Sequence, residues 1–159
     1  MNHSAWKGAA LSLAACLALL QAGCGESACG GFEQTESRDA PLIKELRLAS
    51  QLTGDPWTAI FGLLFQDANG DLGNSSNGTA EFYLNGESAA VVSLSELFQQ
   101  NGVAGESTSG ELAIPLRFSE GISDGASARL ALQLSDHERN LSNCYALELE
   151  FDVTAVPQN

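Results

Sequence analysis

Basic residues are scarce in this chain. Lys and Arg number 7 against 20 Asp and Glu, for a formal net charge of -13. A surface of that sign repels phosphate backbones and argues against nucleic acid as a partner. It also opposes peripheral attraction to anionic lipid. Histidine is scarcer still, with 2 residues, His3 and His137. One His in the body of the chain and a few dispersed Cys do not form the ligand spacing of a transition-metal site. Aromatic residues make up 7% of the sequence and Trp occurs only at positions 6 and 57. That leaves little material for an exposed ring platform of the kind that sugar-binding β-modules use. Long apolar runs are also missing. The best, Gly8 to Leu20, is short and rich in Ala and Gly, whereas a spanning helix needs about 20 apolar residues.

The N-terminal segment is the most specific feature present. MNHSAWKGAALSLAACLALLQAGC places one positive charge, Lys7, before that apolar run and small residues after it, the layout of an export signal. Its end, Leu20-Gln21-Ala22-Gly23-Cys24, resembles the lipobox of bacterial lipoproteins; Gln21 departs from the aliphatic residue usual there. The resemblance implies that residues 1–23 are removed and that Cys24 carries two or three acyl chains, enough for stable anchoring. It also implies a bacterial cell-envelope location, at the outer membrane. Leu13-Ala14-Ala15-Cys16 is a competing box. Cleavage there would leave too short a signal core and would strand Leu17 to Leu20 on the mature protein. The bland alternative to both is an uncleaved apolar helix. Loss of Lys7 would leave 6 basic residues against 20 acidic ones.

With Cys16 removed and Cys24 lipidated, Cys29 and Cys144 remain. An oxidising compartment permits them to pair, which would clip the mature N-terminus to the last hairpin. The alternative is a free Cys29 in a mobile segment. Gly25 to Asp39, GESACGGFEQTESRD, is small, polar and acidic apart from Phe32, which predicts that residues 24–39 form a flexible tether. The folded domain is expected over residues 40–156.

Period-two alternation dominates that domain. In Tyr145 to Val153 the odd positions are apolar, while Glu148, Glu150 and Asp152 face out. Ser127–Ser135, Glu111–Phe118 and Thr79–Asn85 alternate likewise, and Pro115 on the outer face of its segment marks an edge or a bulge. Trp57–Gln66 is apolar on nearly both faces, as a central strand would be. Pro41–Leu52 reads as a first strand, with a short helix capped by Asp39 as the alternative. Ser88–Leu94 reads as another strand and leads into one or two helical turns, Ser95–Asn101, with Ser95 and Gly102 as caps. About seven short strands predict an all-β, antiparallel, immunoglobulin-like sandwich; a small closed barrel is the rival. FQDANGDLG and LSDHERNLSN, each following a strand, resemble loops of bacterial immunoglobulin-like domains. Such domains serve adhesion, spacing and binding.

The two loops also match each other. With Asp67 set on Asp136, Asp71 falls on Asn140, Leu72 on Leu141, Gly73 on Ser142 and Asn74 on Asn143. One reading is structural: Asp and Asn satisfy backbone N–H groups at equivalent strand ends. The sharper reading takes them as the B–C and F–G loops, which leave the same end of such a sandwich. Asp67, Asn69, Asp71, Asp136 and Asn140 would then converge as oxygen ligands for calcium. An EF-hand is excluded, because Leu72 and Gly78 stand where its Gly and bidentate Glu belong.

Gly121-Ile-Ser-Asp-Gly125 spells a nucleophile-elbow motif but precedes a strand rather than a helix. His137 with Cys144 as a nucleophilic pair is weaker than a loop His beside a buried or bonded Cys. The expectation is a non-catalytic domain, structural or adhesive, presenting loops to an envelope protein or polysaccharide. The alternative is a calcium-dependent carbohydrate-binding module, for which Tyr83 is the one outward-facing ring candidate on a strand.

Overall fold

The computed structural model describes residues 28–52, 57–74, 77–118 and 127–150. Its strands are β1 (Leu42–Leu52), β2 (Trp57–Gln66), β3 (Thr79–Leu84), β4 (Glu87–Ser93), β5 (Ser109–Phe118), β6 (Ser127–Ser135) and β7 (Tyr145–Glu150). One helix, α1 (Leu94–Asn101), lies between β4 and β5. The strands form two antiparallel sheets, ordered β1-β2-β5 and β4-β3-β6-β7. This is an immunoglobulin-like sandwich in which the fourth strand pairs with β3 and leaves β5 on the other sheet.

Alternation explains the packing. Phe61, Leu63 and Phe65 of β2 meet Leu112 and Ile114 of β5 on one inner face; Ala80, Phe82, Leu130, Leu132 and Leu134 line the other. Each is at most 1% exposed. β2 is the central strand of its sheet, as its composition predicts. Its outer side is thinly covered: Arg47 crosses over Gly62 to pair with Glu111, and an added Cβ at Gly62 would sit 3.2 Å from the Arg47 Nε. Both partners are more than half exposed, so this ion pair contributes little stability. Pro115 sits exposed on β5, an edge strand.

Gly102 ends α1 in the left-handed conformation, φ 65, as expected. The start differs. Ser93 is the N-cap residue and makes no side-chain cap hydrogen bond; its hydroxyl lies 3.0 Å from that of Ser95.

Two asparagines close the outer edges of the three-stranded sheet by acting as one-residue strands. The Asn143 amide accepts from the Ile43 N–H at 2.7 Å and donates to the Ile43 carbonyl at 3.0 Å. The Asn101 amide does the same for Ala113, at 2.8 and 3.1 Å. A strand edge otherwise exposes its backbone groups to unwanted pairing.

The flexible tether expected over residues 24–39 is corrected from residue 28 onward; residues 24–27 lie outside the described ones. Cys29 and Cys144 form a disulfide, with Cα atoms 6.0 Å apart. Cys29 packs on Tyr83 and Ala131 in a small second core on the outer face of the four-stranded sheet. The Thr35 N–H donates to the Leu141 carbonyl at 3.0 Å, and the Leu141 N–H to the Thr35 hydroxyl at 2.8 Å. A polar, acidic composition concealed this docking, because one covalent bond and three hydrogen bonds, the third from the Gln133 amide to the Phe32 carbonyl, supply what the missing apolar residues do not.

The disulfide closes a loop with a sequence separation of 115. Replacing both cysteines by serine should lower unfolding free energy by about 2–5 kcal/mol, read by urea denaturation. Tyr83 should become solvent-accessible in the same variant, read by fluorescence quenching.

Candidate functional site

The loop from β2 to β3 and the loop from β6 to β7 leave the same end of the sandwich and touch. The first turns on Asp67, which is 0% exposed. Its N–H donates to the Thr108 carbonyl at 2.8 Å, anchoring the loop beside β5. Its Oδ2 accepts the backbone N–H groups of Asp71 and Leu72, both at 2.9 Å. This bend drives Leu72 into the core, where it is 0% exposed. Gly70 takes φ +68, and an added Cβ there would lie 2.5 Å from the Glu106 carbonyl oxygen. Gly73 passes so close to Phe98 that an added Cβ would clash with its ring. That ring packs on Phe65, with centroids 5.1 Å apart.

The second loop repeats the device. Asp136, also 0% exposed, accepts the Asn140 N–H on Oδ1 at 2.8 Å and the Asn140 amide on Oδ2 at 2.7 Å. Arg139 adopts φ 68 inside this turn. Ser142 then ties the turn to β6, its hydroxyl accepting the Leu134 N–H at 2.8 Å. The internal match of the two loops is therefore a match of function within the turn. Each Asp caps the backbone four residues ahead.

The loops join through His137, whose Nδ1 donates to Asp71 Oδ2 at 2.8 Å. The Asn69 amide donates to the same oxygen, also at 2.8 Å. Two carboxylate oxygens, Asp67 Oδ1 and Asp71 Oδ1, are buried and lack a hydrogen-bond partner. Burial is the main reason both carboxyls bind protons more tightly than the ordinary 3.8. For Asp67 the two backbone N–H groups oppose that shift, while Asp136 and Asp39 add to it. For Asp71 the neighbouring Asp67 and Asp136 add to it and His137 opposes it.

All five candidate calcium ligands thus lie at this end, and Asp67, Asp71 and Asp136 are near enough to repel one another. They do not form the five-ligand cage expected from the sequence. Asp136 is occupied by Asn140, Asn69 donates to Asp71, and one Asp67 oxygen is held by the loop backbone. Among the described residues no group of three or more His, Cys, Asp or Glu is arranged to hold a metal ion. What remains open is the pair of unpartnered oxygens.

Two other expectations are settled by placement. Tyr83 is 2% exposed beneath Cys29, and burial, with help from Glu81, pushes its hydroxyl up to about 12. It offers no ring to a sugar. Cys144 is bonded to Cys29 and His137 faces Asp71, so they are not a nucleophilic pair. Gly121–Gly125 and Cys24 lie outside the described residues. An open groove of about 510 Å³ beside the loop end is lined by Lys44, Leu64, Gln66, Thr108 and Ser109 among others. The sequence reading missed Thr35 and the role of Asn143; the alignment of Asn143 with Asn74 was the available signal for the latter.

No protein-family model matches the chain, and no curated protein sequence matches it either. Among solved structures, the chain is similar to the CARDB domain of a Pyrococcus furiosus protein, determined by solution NMR. The identity is 10% and the TM-score 0.40, over 72% of this chain and 95% of that domain.

Asp67→Ala removes an acceptor for two buried N–H groups and should cost about 1–3 kcal/mol, measured by urea denaturation. Asp67→Asn keeps an acceptor and removes a repelling charge, so it should cost clearly less. The raised carboxyls also set a pH dependence. Their stabilising contribution is full below the unfolded value near 3.8 and is lost as pH rises through the higher folded value. Acidification from neutral pH should therefore favour folding at these two sites, and Asp67→Asn should flatten that response in thermal melts.

Proposed function

We propose that this protein is a lipid-anchored component of the bacterial cell envelope whose acidic immunoglobulin-like domain is non-catalytic and presents its two-loop end to another envelope protein or a polymer. The observation that carries this reading is the use of the titratable groups. At the end where Asp and His converge, every hydrogen bond they make fixes a turn or joins the two loops. Catalysis would need such groups aimed into a cleft at a substrate. The Cys29–Cys144 bond suits export to an oxidising compartment, which agrees with lipidation at Cys24 and a location at the outer membrane. The rim of the joined loops is left outward: Ala68, Asn69, His137, Glu138 and Arg139 are exposed.

Crosslinking in native membranes tests the reading. A photo-crosslinker at Glu138 should trap a defined partner, and one at Ala113, on the far sheet, should not. Equal labelling from both positions would remove the assignment of the loop end.

A second reading rests on the two unpartnered oxygens, Asp67 Oδ1 and Asp71 Oδ1. Two carboxylates that each keep one buried oxygen without a partner are the start of a calcium site, which backbone carbonyls and water would complete. A cation that binds only the folded state raises its melting temperature by mass action. Millimolar calcium should then shift the melt of the parent protein and leave that of Asp67→Asn unmoved. No shift in the parent would end this reading and with it calcium-dependent carbohydrate binding.

A further inference from the structure

We propose that the outer face of the four-stranded sheet is the side this domain turns toward the bilayer, with Phe32 and Val91 as its apolar contacts. The proposal rests on the lipoprotein reading of Cys24.

Chain length supplies the first argument. Cys24 and Cys29 are separated by five residue steps, which span at most about 18 Å when fully extended. Cys29 is not a free point beyond that span. It is 0% exposed and bonded to Cys144, against Tyr83 and Ala131 on the outer face of the β4-β3-β6-β7 sheet. A lipid on Cys24 therefore holds this face close to the headgroups. Without the disulfide, the anchor would act through the longer run up to β1 and leave the orientation open.

Surface chemistry supplies the second. The exposed large apolar side chains among the described residues are Phe32 at 58%, Leu64 at 41% and Val91 at 60%. Val91 is paired with Glu81, which is paired with Gln133, so the three share one cross-strand row on the outer face. The Gln133 amide reaches the Phe32 carbonyl at 3.5 Å. Val91 and the Phe32 segment are thus about two strand spacings apart, on the order of 10 Å. Leu64 belongs to the other sheet. Two of the three exposed apolar groups lie on the face that the covalent anchor brings to the membrane.

The charge pattern selects the lipid. Glu33, Glu36, Glu81, Glu148 and Glu150 lie on or beside this face, against the basic Arg38 and Arg129. Anionic headgroups would repel such a surface, so the fit is to zwitterionic lipid with shallow contact at the interface. The acyl chains supply the attachment; the face supplies only the orientation.

The test uses the full chain, processed in a bacterial host and reconstituted in phosphatidylcholine vesicles with brominated acyl chains. Val91→Trp places a reporter on the proposed face, far in sequence from the anchor. Ala113→Trp places one on the exposed outer side of β5. The parent protein provides the common Trp57 background. Trp at position 91 should lose much of its emission to the bromines, whereas Trp at position 113 should keep it. Equal emission at the two positions overturns the orientation. Intact mass is measured on the same samples: an unacylated Cys24 overturns the lipoprotein reading itself, and an acylated chain with unquenched Trp at 91 overturns this inference alone.

Discussion

The buried carboxylate of Asp67 is the constraint on which the loop end depends. A chain leaving β2 for the opposite sheet must turn sharply while its backbone N–H groups pass out of water. Unpaired, those groups would be costly. Asp67 Oδ2 receives two of them at once. The turn so fixed delivers Leu72 to the core and lays Gly73 against Phe98. Phe98 in turn packs on Phe65, at the end of the strand from which the turn began. The circuit is closed, and its cost is a carboxylate kept out of water with one oxygen unpartnered. Asp136 repeats the solution on the other loop with neither oxygen left over, because Asn140 takes up both.

Having two such turns side by side creates the feature that resembles a functional site. Three Asp side chains approach one another because sandwich topology puts both loops at one end. His137 offsets part of the repulsion from outside. Acidic convergence is thus explained by turn chemistry before any ligand is invoked. The unpartnered oxygens are the part that turn chemistry leaves over, and they alone carry the calcium reading.

Much of this was legible in the sequence because the signals were local. Alternation identified β3, β5, β6 and β7, the crowded composition of Trp57–Gln66 marked a central strand, and the β character of all that follows favoured a strand for β1 over a capped helix. Equivalence of Asp67 with Asp136 followed from aligning two loops. The failures share a different cause. Tyr83 alternates outward, and a period-two pattern reports only which side of the sheet a residue is on. It cannot report that Cys29 lies over that side. The docking of residues 28–36 likewise depends on a bond to Cys144 and on Thr35 meeting Leu141, contacts about a hundred residues apart that leave no periodic trace. The ligand set failed because residue types reveal lone pairs but not which of them the local backbone already uses.

The proposed lipid on Cys24 would link these observations to a membrane surface. An acidic domain gains nothing from electrostatic attraction to anionic membranes, so any attachment must be covalent or apolar. A long flexible tether would let such a domain float away from the bilayer and rotate. On the proposed lipidation of Cys24, the disulfide places a fixed point on one sheet five residue steps from the lipid. The loop rim and the face proposed to meet the membrane are therefore not independent. Cys144 follows directly on the second loop, so the bond that holds Cys29 on the outer face also fixes one base of the loop pair. If Cys24 is lipidated as proposed, a partner engaging Glu138 and Arg139 would meet a surface whose distance to the membrane is limited by that single crosslink.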